Sequence, residues 1–251
     1  SLDKFLSKKI VVEVGIKTPK GNLYYLDHRG KKHQQLGRWK VRFPAIIKNN
    51  FRGDSEGIDQ DSVVHNSKDL ERILNKRLKQ LPEGVLVEEF IKGKDIGVCY
   101  MEGMGRGNAL FPIESVISKE LNNPYNIVDY NLKNYAIRST TIQHLSIRLA
   151  DDLPKKLIRK IEDISRKVFE IFQVKDFVRV DFRVTDSGEV YFIELNPLLT
   201  MLAGTHMFYA AKEKHGLTYG DVLDHIFRKA AKRWGLKYHK SNTGLFSKMR
   251  Y

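Results

Sequence analysis

Two short segments, Arg179-Val180-Asp181-Phe182 and Ile193-Glu194-Leu195-Asn196-Pro197, hold the residues best suited to chemistry. Both alternate polar and apolar side chains, and the turn Thr185-Asp186-Ser187-Gly188 lies between them, so they predict a β-hairpin. Side chains two apart in a strand share a face. Arg179 therefore points with Asp181, and Glu194 with Asn196. Pairing of the strands would gather a cation, two carboxylates and a carboxamide on one face, with Val180, Phe182, Ile193 and Leu195 filling the core behind. Oxygen donors on a rigid sheet are what Mg²⁺ requires, usually beside substrate phosphates. A hairpin whose solvent face is merely charged has the same pattern, so the remaining segments must decide.

Lys48 closes the apolar run FPAIIK and is followed by a polar loop, residues 49–62, with two glycines. A cation at a strand end beside such a loop can neutralise phosphates that backbone N–H groups then cover; an ordinary surface lysine is the alternative. The loop is not of the GxxxxGK[ST] type. Glu88 and Glu89 interrupt the apolar run VLVEEFI. A buried carboxylate is costly unless balanced, and an adenine amino group, ribose hydroxyls or a neighbouring lysine could each balance it. GMGRG (residues 103–107) lies between two predicted strands and precedes no helix, so it reads as a tight hairpin and not a dinucleotide motif. His206 and His215 lack partners at metal-ligand spacing. No GxSxG is present, and Cys99 sits in an apolar run without an evident base, which disfavours nucleophilic hydrolase chemistry.

The elements that must position these residues are mixed. A helix is predicted over residues 3–15, with Phe5, Ile10 and Val14 inward and Gly15 as its stop. Further helices are predicted over Ser67–Leu81 (Leu70, Ile73, Leu74 and Leu78 on one face), Leu153–Phe172 (Leu157, Ile161, Ile164, Val168 and Phe172) and Tyr219–Trp234, the last with Thr218 and Asp221 resembling a capping box. Strands are predicted over 43–48, 85–91, 95–101 and 109–117, a hairpin around Leu23-Tyr24-Tyr25, and irregular chain over 118–140. This order of helices and hairpins argues for an α+β fold and against a doubly wound parallel sheet.

At 251 residues the chain can bury a sound core. Its single cysteine excludes an intramolecular disulfide framework. No apolar run approaches the roughly 20 residues that span a bilayer, and no signal-peptide pattern opens the chain; the expected location is cytoplasmic, with no membrane partner. The net charge of +14 comes from 44 basic and 30 acidic residues, enriched in Lys17–Lys40, Lys155–Lys167 and Lys229–Arg250. Such a surplus fits polyphosphate or nucleic acid. Nucleic acid is the weaker fit, because only the Tyr24-Tyr25 region interleaves aromatics with the basic clusters.

Taken in order, these segments resemble the ATP-grasp ligases, and within them the D-alanine–D-alanine ligase branch. The resemblance runs from Asp3-Lys4 to about Trp234. Asp3-Lys4 opens a helix that leads to Gly15-Ile16-Lys17-Thr18-Pro19, like the start of that family's ATP-grasp region. FPAIIK is similar to its strand ending in a phosphate-binding lysine, and GDSEGI (residues 53–58) to its phosphate-covering loop. VLVEEFIKGKDIGV is similar to its nucleotide hinge, VDYNLKNY (128–135) to its YDYEAKY segment, RVDF with IELN to its metal-binding strands, and GLTYGDVL (216–223) to the start of its last helix.

The resemblance implies an ATP-grasp fold, two α+β subdomains with ATP held between antiparallel sheets. It divides the chain into an entry helix and basic connector (1–40), a small subdomain (41–97), a large subdomain (98–236) and a basic tail (237–251). It assigns Lys4, Lys48 and Lys133 to phosphates, and Ser55 with its loop backbone to the γ-phosphate. Glu88, Phe90 and Ile91 go to adenine and Asp95 to ribose. Asp181, Glu194 and Asn196 hold two Mg²⁺ ions, for which Mn²⁺ could substitute, and Arg179 stabilises charge on the reacting carboxyl oxygens. The implied substrates are a small carboxylate and an amine, and a homodimer is compatible with the family.

Departures from the family pattern matter too. The family's N-terminal α/β domain precedes the segment that begins here at Asp3-Lys4, so it is expected from outside this sequence. Asp54 replaces the first serine of the phosphate loop, and Asn134 a tyrosine. Leu199–Met207 replaces the segment that holds the second D-alanine, with Thr205 as the candidate for its serine. These changes leave ATP chemistry intact and put D-alanine as acceptor in question. An ATP-binding regulatory module without ligase activity is the alternative from a different class.

Overall fold

The computed structural model describes residues 3–35, 40–53, 55–128, 132 and 144–238. The described chain carries two five-stranded sheets. The first contains β1 (Gly21–Leu26), β2 (Lys32–Gln35), β3 (Ala45–Asn49), β4 (Val63–Val64) and β5 (Val85–Glu89), in the order β2-β1-β5-β3-β4. All its pairs are antiparallel, with Glu88 opposite Gly21 on one side and Ile46 on the other. β5 is thus the central strand, and both neighbours shield it from water. A Cβ at Gly21 would lie 2.7 Å from that of Glu88, so only glycine lets β1 approach so closely.

The second sheet contains β6 (Lys94–Met101), β7 (Ile113–Ile117), β8 (Leu145–Leu149), β9 (Phe177–Val184) and β10 (Val190–Asn196), in the order β10-β9-β6-β7-β8. Contacts divide the chain into two compact units. Unit 1 is Ser1–Asp95, Ser115–Ser146 and Phe182–Leu195; unit 2 is Ile96–Glu114, Ile147–Asp181 and Asn196–Tyr251. The boundary falls within the strands of the second sheet.

In unit 1, α2 (Ser67–Gln80) covers the first sheet with Ile73, Leu74 and Leu78, packed with Ala45, Ile47, Val85 and Val87. The predicted face holds. Its Asn66 cap accepts the Asp69 N–H at 2.9 Å, filling one of the donors a helix start leaves open. α1 (Lys4–Glu13) is capped by Asp3, which accepts the Leu6 N–H, and its first turn docks on Asn50, whose side chain accepts the Phe5 N–H at 2.8 Å. The buried set of α1 differs from the predicted one. Val11 is inward where Val14 was expected, Val14 is exposed, and Lys4, Ser7 and Lys8 are buried beside Phe5. Sequence hydrophobicity misplaces this face because the helix turns two ammonium groups inward.

In unit 2, α3 (Lys155–Ile171), α4 (His206–His215) and α5 (Tyr219–Arg233) accompany the second sheet. Ile158, Ile161, Val168 and Phe169 are buried on α3, a face turned by about one residue from the predicted stripe. A wide apolar stripe leaves that rotation to its neighbours, here including an edge contact between Phe169 and Tyr100. α4 lies where the sequence reading assigns no element; Gly216 ends it in the left-handed conformation. The strand predicted over 109–117 begins at Ile113, because Pro112 has no N–H for a ladder. β8 was not predicted. α5 starts with the expected capping box of Thr218 and Asp221.

Candidate functional site

A buried group of charges lies in unit 1. Lys48, next to last on β3, and Glu88, on the facing strand β5, form an ion pair in which both side chains are almost wholly buried. Lys8 of α1 approaches the other carboxylate oxygen at 3.1 Å. Lys8 Nζ also contacts Thr18 Oγ1 at 3.2 Å and the Phe192 carbonyl at 3.5 Å. Burial pushes the Lys8 ammonium down to about 8; the Glu88 carboxylate opposes that shift and Lys48 adds to it. Burial acts to raise the Glu88 carboxyl, but Lys48 and Lys8 together outweigh it and hold the group below the ordinary carboxylate range.

Lys4, one turn before Lys8 and on the same face, donates to the Arg52 carbonyl and pairs with Glu194 at 3.2 Å. That carbonyl opens the 53–58 loop. The loop is tied by Asn49 Nδ2 to the Glu56 carbonyl (2.6 Å) and by Ser55 Oγ to the Val128 carbonyl (2.8 Å). Ser55 has φ +57°, uncommon for a residue with a Cβ. Asp54, Lys133 and Asn134 lie outside the described residues.

The expected hinge follows β5. The Phe90 N–H donates to the Pro44 carbonyl. Arg183 Nε donates to the Ile91 carbonyl, and the same guanidinium bonds the Asn126 and Tyr125 carbonyls and pairs with Asp95 at 2.6 Å. It also lies 5.6 Å from the centre of the Phe90 ring. Arg183 thus braces three segments of unit 1, a role that its place in a strand pattern did not signal. Lys8 was missed as well; its spacing of four from Lys4 was the available clue.

On β9, Arg179 grips Asp181 with two bonds, at 2.6 and 2.9 Å, and Asn196 Nδ2 donates to Asp181 Oδ2 at 2.6 Å. Arg179, Asp181 and Asn196 therefore converge as the alternation predicts. Along β10 the alternation is less clean. Val190 and Phe192 are buried and Ile193, expected in the core, is only half-buried. By strand alternation Phe192 shares its face with Glu194 and Asn196, so this polar face is covered at its start. Among the described residues no three His, Cys, Asp or Glu side chains cluster as a metal site. The donor chemistry still suits Mg²⁺. Asp181 is paired with Arg179 and, separately, Glu194 with Lys4, and Asn196 presents its Nδ2 to Asp181. Two carboxylates and an amide oxygen are hard ligands. Cys99 is buried and its thiol is pushed up to about 12, which keeps it inert.

The family model described as "D-ala D-ala ligase C-terminus" matches residues 12–228. The chain belongs to the D-alanine–D-alanine ligase family. Members of that family are ATP-dependent carboxylate–amine ligases. The D-alanine–D-alanine ligase of Aquifex aeolicus is 32% identical over 226 residues, which is 90% of this chain and 68% of that protein. The D-alanine–D-alanine ligase B of Clostridium perfringens is 29% identical, covering 90% of this chain and 66% of its own length. The chain thus spans about two thirds of these relatives. Among solved structures, D-alanine–D-alanine ligase from Bacillus anthracis superposes with a TM-score of 0.70 at 23% identity, covering 92% of this chain and 68% of that one. This likeness gives the fold: α+β, of the ATP-grasp type. No described helix is long and apolar enough to cross a membrane.

Proposed function

We propose that this chain is the ATP-binding and catalytic portion of a ligase that activates a small carboxylate with ATP and joins it to an amine. The observation that carries the reading is the buried Lys8–Glu88–Lys48 group next to Lys4, in a chain whose residues 12–228 match the ligase family. In this reading a carboxylate oxygen attacks the γ-phosphorus and the bond to ADP breaks. The amine nitrogen then attacks the acylphosphate carbonyl, loses a proton and expels phosphate. Lys4, Lys48 and Lys133 bind phosphates, and Ser55 with the 53–58 backbone covers the γ-phosphate. Phe90 and Ile91 flank adenine, and Asp95 faces ribose once Arg183 shares it. Glu88, enclosed with its oxygens against Lys48 and Lys8, orders those lysines instead of reaching the base. Arg179 offsets charge on the reacting carboxyl. Asp181, Glu194 and Asn196 would hold Mg²⁺, whose charge would offset the repulsion between the phosphates and the attacking carboxylate.

The segments 41–97 and 98–236 are taken as the two halves of the nucleotide site, with a cytoplasmic setting. The acceptor site is altered, because Leu199–Met207 departs from the family's acceptor segment, and this puts D-alanine as the second substrate in question. There the Thr205 hydroxyl donates to the Thr200 and Leu202 carbonyls of its own loop.

Thermal unfolding with Mg-ATP tests the nucleotide reading. At a hundredfold excess over Kd, binding stabilises by about 2.7 kcal/mol, or roughly 5–10 °C for a chain of this size. Glu194→Gln is expected to lose most of that shift. No shift in the unmutated protein would sink the nucleotide reading. Phosphate release screened against amino acids singly and in pairs tests ligation. Release that never depends on a pair would favour a binding module.

A further inference from the structure

The buried group contains more positive than negative charge, and the geometry shows how it is divided. Lys8 and Lys48 hold opposite oxygens of a single carboxylate, and all three side chains are at most 7% exposed. An ammonium has three donors. Lys8 pairs with Glu88 at 3.1 Å and directs its hydrogen bonds to Thr18 and the Phe192 carbonyl, all within unit 1. Lys8 is therefore committed to the protein. Among the described residues the partner of the Lys48 ammonium is Glu88.

We propose that Lys8 is a positioning residue for nucleotide binding: by sharing Glu88 with Lys48, it keeps one positive charge uncompensated at the end of β3, and a phosphate completes the balance. The proposal rests on the ATP reading above and extends it to a residue that touches no phosphate. Without Lys8, Glu88 and Lys48 would form a neutral one-to-one pair. Lys48 would then be held by its carboxylate instead of attracting an anion. The depressed Lys8 ammonium supports this picture, since burial and Lys48 strain its charge as a site short of one anion should. Glu194, which pairs with Lys4, is the remaining carboxylate felt by Lys8.

The test is a charge cycle read by calorimetric binding of Mg-ATP to the whole chain. Lys8→Met should weaken binding about tenfold, equivalent to about 1.4 kcal/mol. Glu88→Gln is the reference, since Glu88 is itself part of the group: adding Lys8→Met to Glu88→Gln should change the affinity by less than about threefold, because Lys8 then has no shared carboxylate through which to act. A double variant about tenfold or more weaker than Glu88→Gln alone would overturn the proposal, since a merely structural Lys8 predicts that result. Lys8→Arg guards against a double variant that does not fold. It should keep affinity within about threefold even if its thermal midpoint falls, and a loss equal to that of Lys8→Met would also overturn the proposal. Failure of the unmutated chain to bind Mg-ATP would instead overturn the nucleotide reading itself.

Discussion

Two groups of charge in this molecule solve the same problem differently. In Lys8–Glu88–Lys48, side-chain exposures are 6%, 1% and 7%, and the charges face one another with almost no water. In Arg179–Asp181 on β9 they are 22% and 24%. A charge in the first group that loses its partner has nothing to replace it, and that costs several kcal/mol. A charge in the second can turn to water, so its pairing contributes little to stability. The first group is suited to being a permanent part of the scaffold. The second is hydrated enough to exchange partners. Lys4 stands between the two, buried like the first group yet paired with the half-buried Glu194.

The comparison breaks most directly at Glu88. Glu88→Ala leaves Lys8 and Lys48 facing each other without a counter-charge. The expected cost is about 3–5 kcal/mol, a fall in Tm on the order of 10 °C by calorimetry. A fall below about 2 °C would mean that water reaches the group.

A pH series sharpens the same contrast. Lys8 holds its proton less tightly in the folded chain, to about 8, than at its ordinary 10.5. Below both values the folded and unfolded chains are equally protonated at this site. Between them the unfolded chain binds the extra proton, so the Lys8 contribution to stability rises with pH. The groups facing it are Glu88 on β5, Lys48 on β3 and Glu194 on β10. Compared with Lys8→Met, the unmutated protein should gain on the order of 5 °C in Tm from pH 8 to pH 10. Parallel profiles for the two proteins would count against a strained Lys8.

The smallest effect is expected at Asp181. Asp181→Asn removes the carboxylate that Arg179 grips, yet both side chains stay partly hydrated, so the change should be within about 1 kcal/mol, or about 3 °C, in the absence of nucleotide. A fall as large as that of Glu88→Ala would erase the distinction between the two groups.

Much of this was legible in the residues. The RVDF and IELN alternation placed Arg179, Asp181 and Asn196 together, and the apolar spacing of Ser67–Leu81 predicted the face that α2 buries. Thr218 and Asp221 announced the start of α5. What escaped was set by distant neighbours. Lysines are usually solvated, so nothing local marks Lys8 as buried, and Arg183 reads as one more polar strand position until the carbonyls of Ile91, Asn126 and Tyr125 surround it. Pro112 could have warned that the strand predicted from Ala109 would begin late. The helix at His206–His215 had its stop signal in Gly216 but too weak an apolar pattern to declare itself.

The sequence by itself determined which segments alternate, where helices are capped, and the order of motifs that places the chain among these ligases. Alternation and capping act over a few neighbouring residues, and motif order is written in the chain. Only the tertiary structure decided that α1 turns its lysines inward and that Glu88 serves two of them. Burial and charge balance are sums over groups far apart in sequence: Lys8, Lys48, Glu88 and the Phe192 carbonyl meet only where α1, β3, β5 and β10 come together.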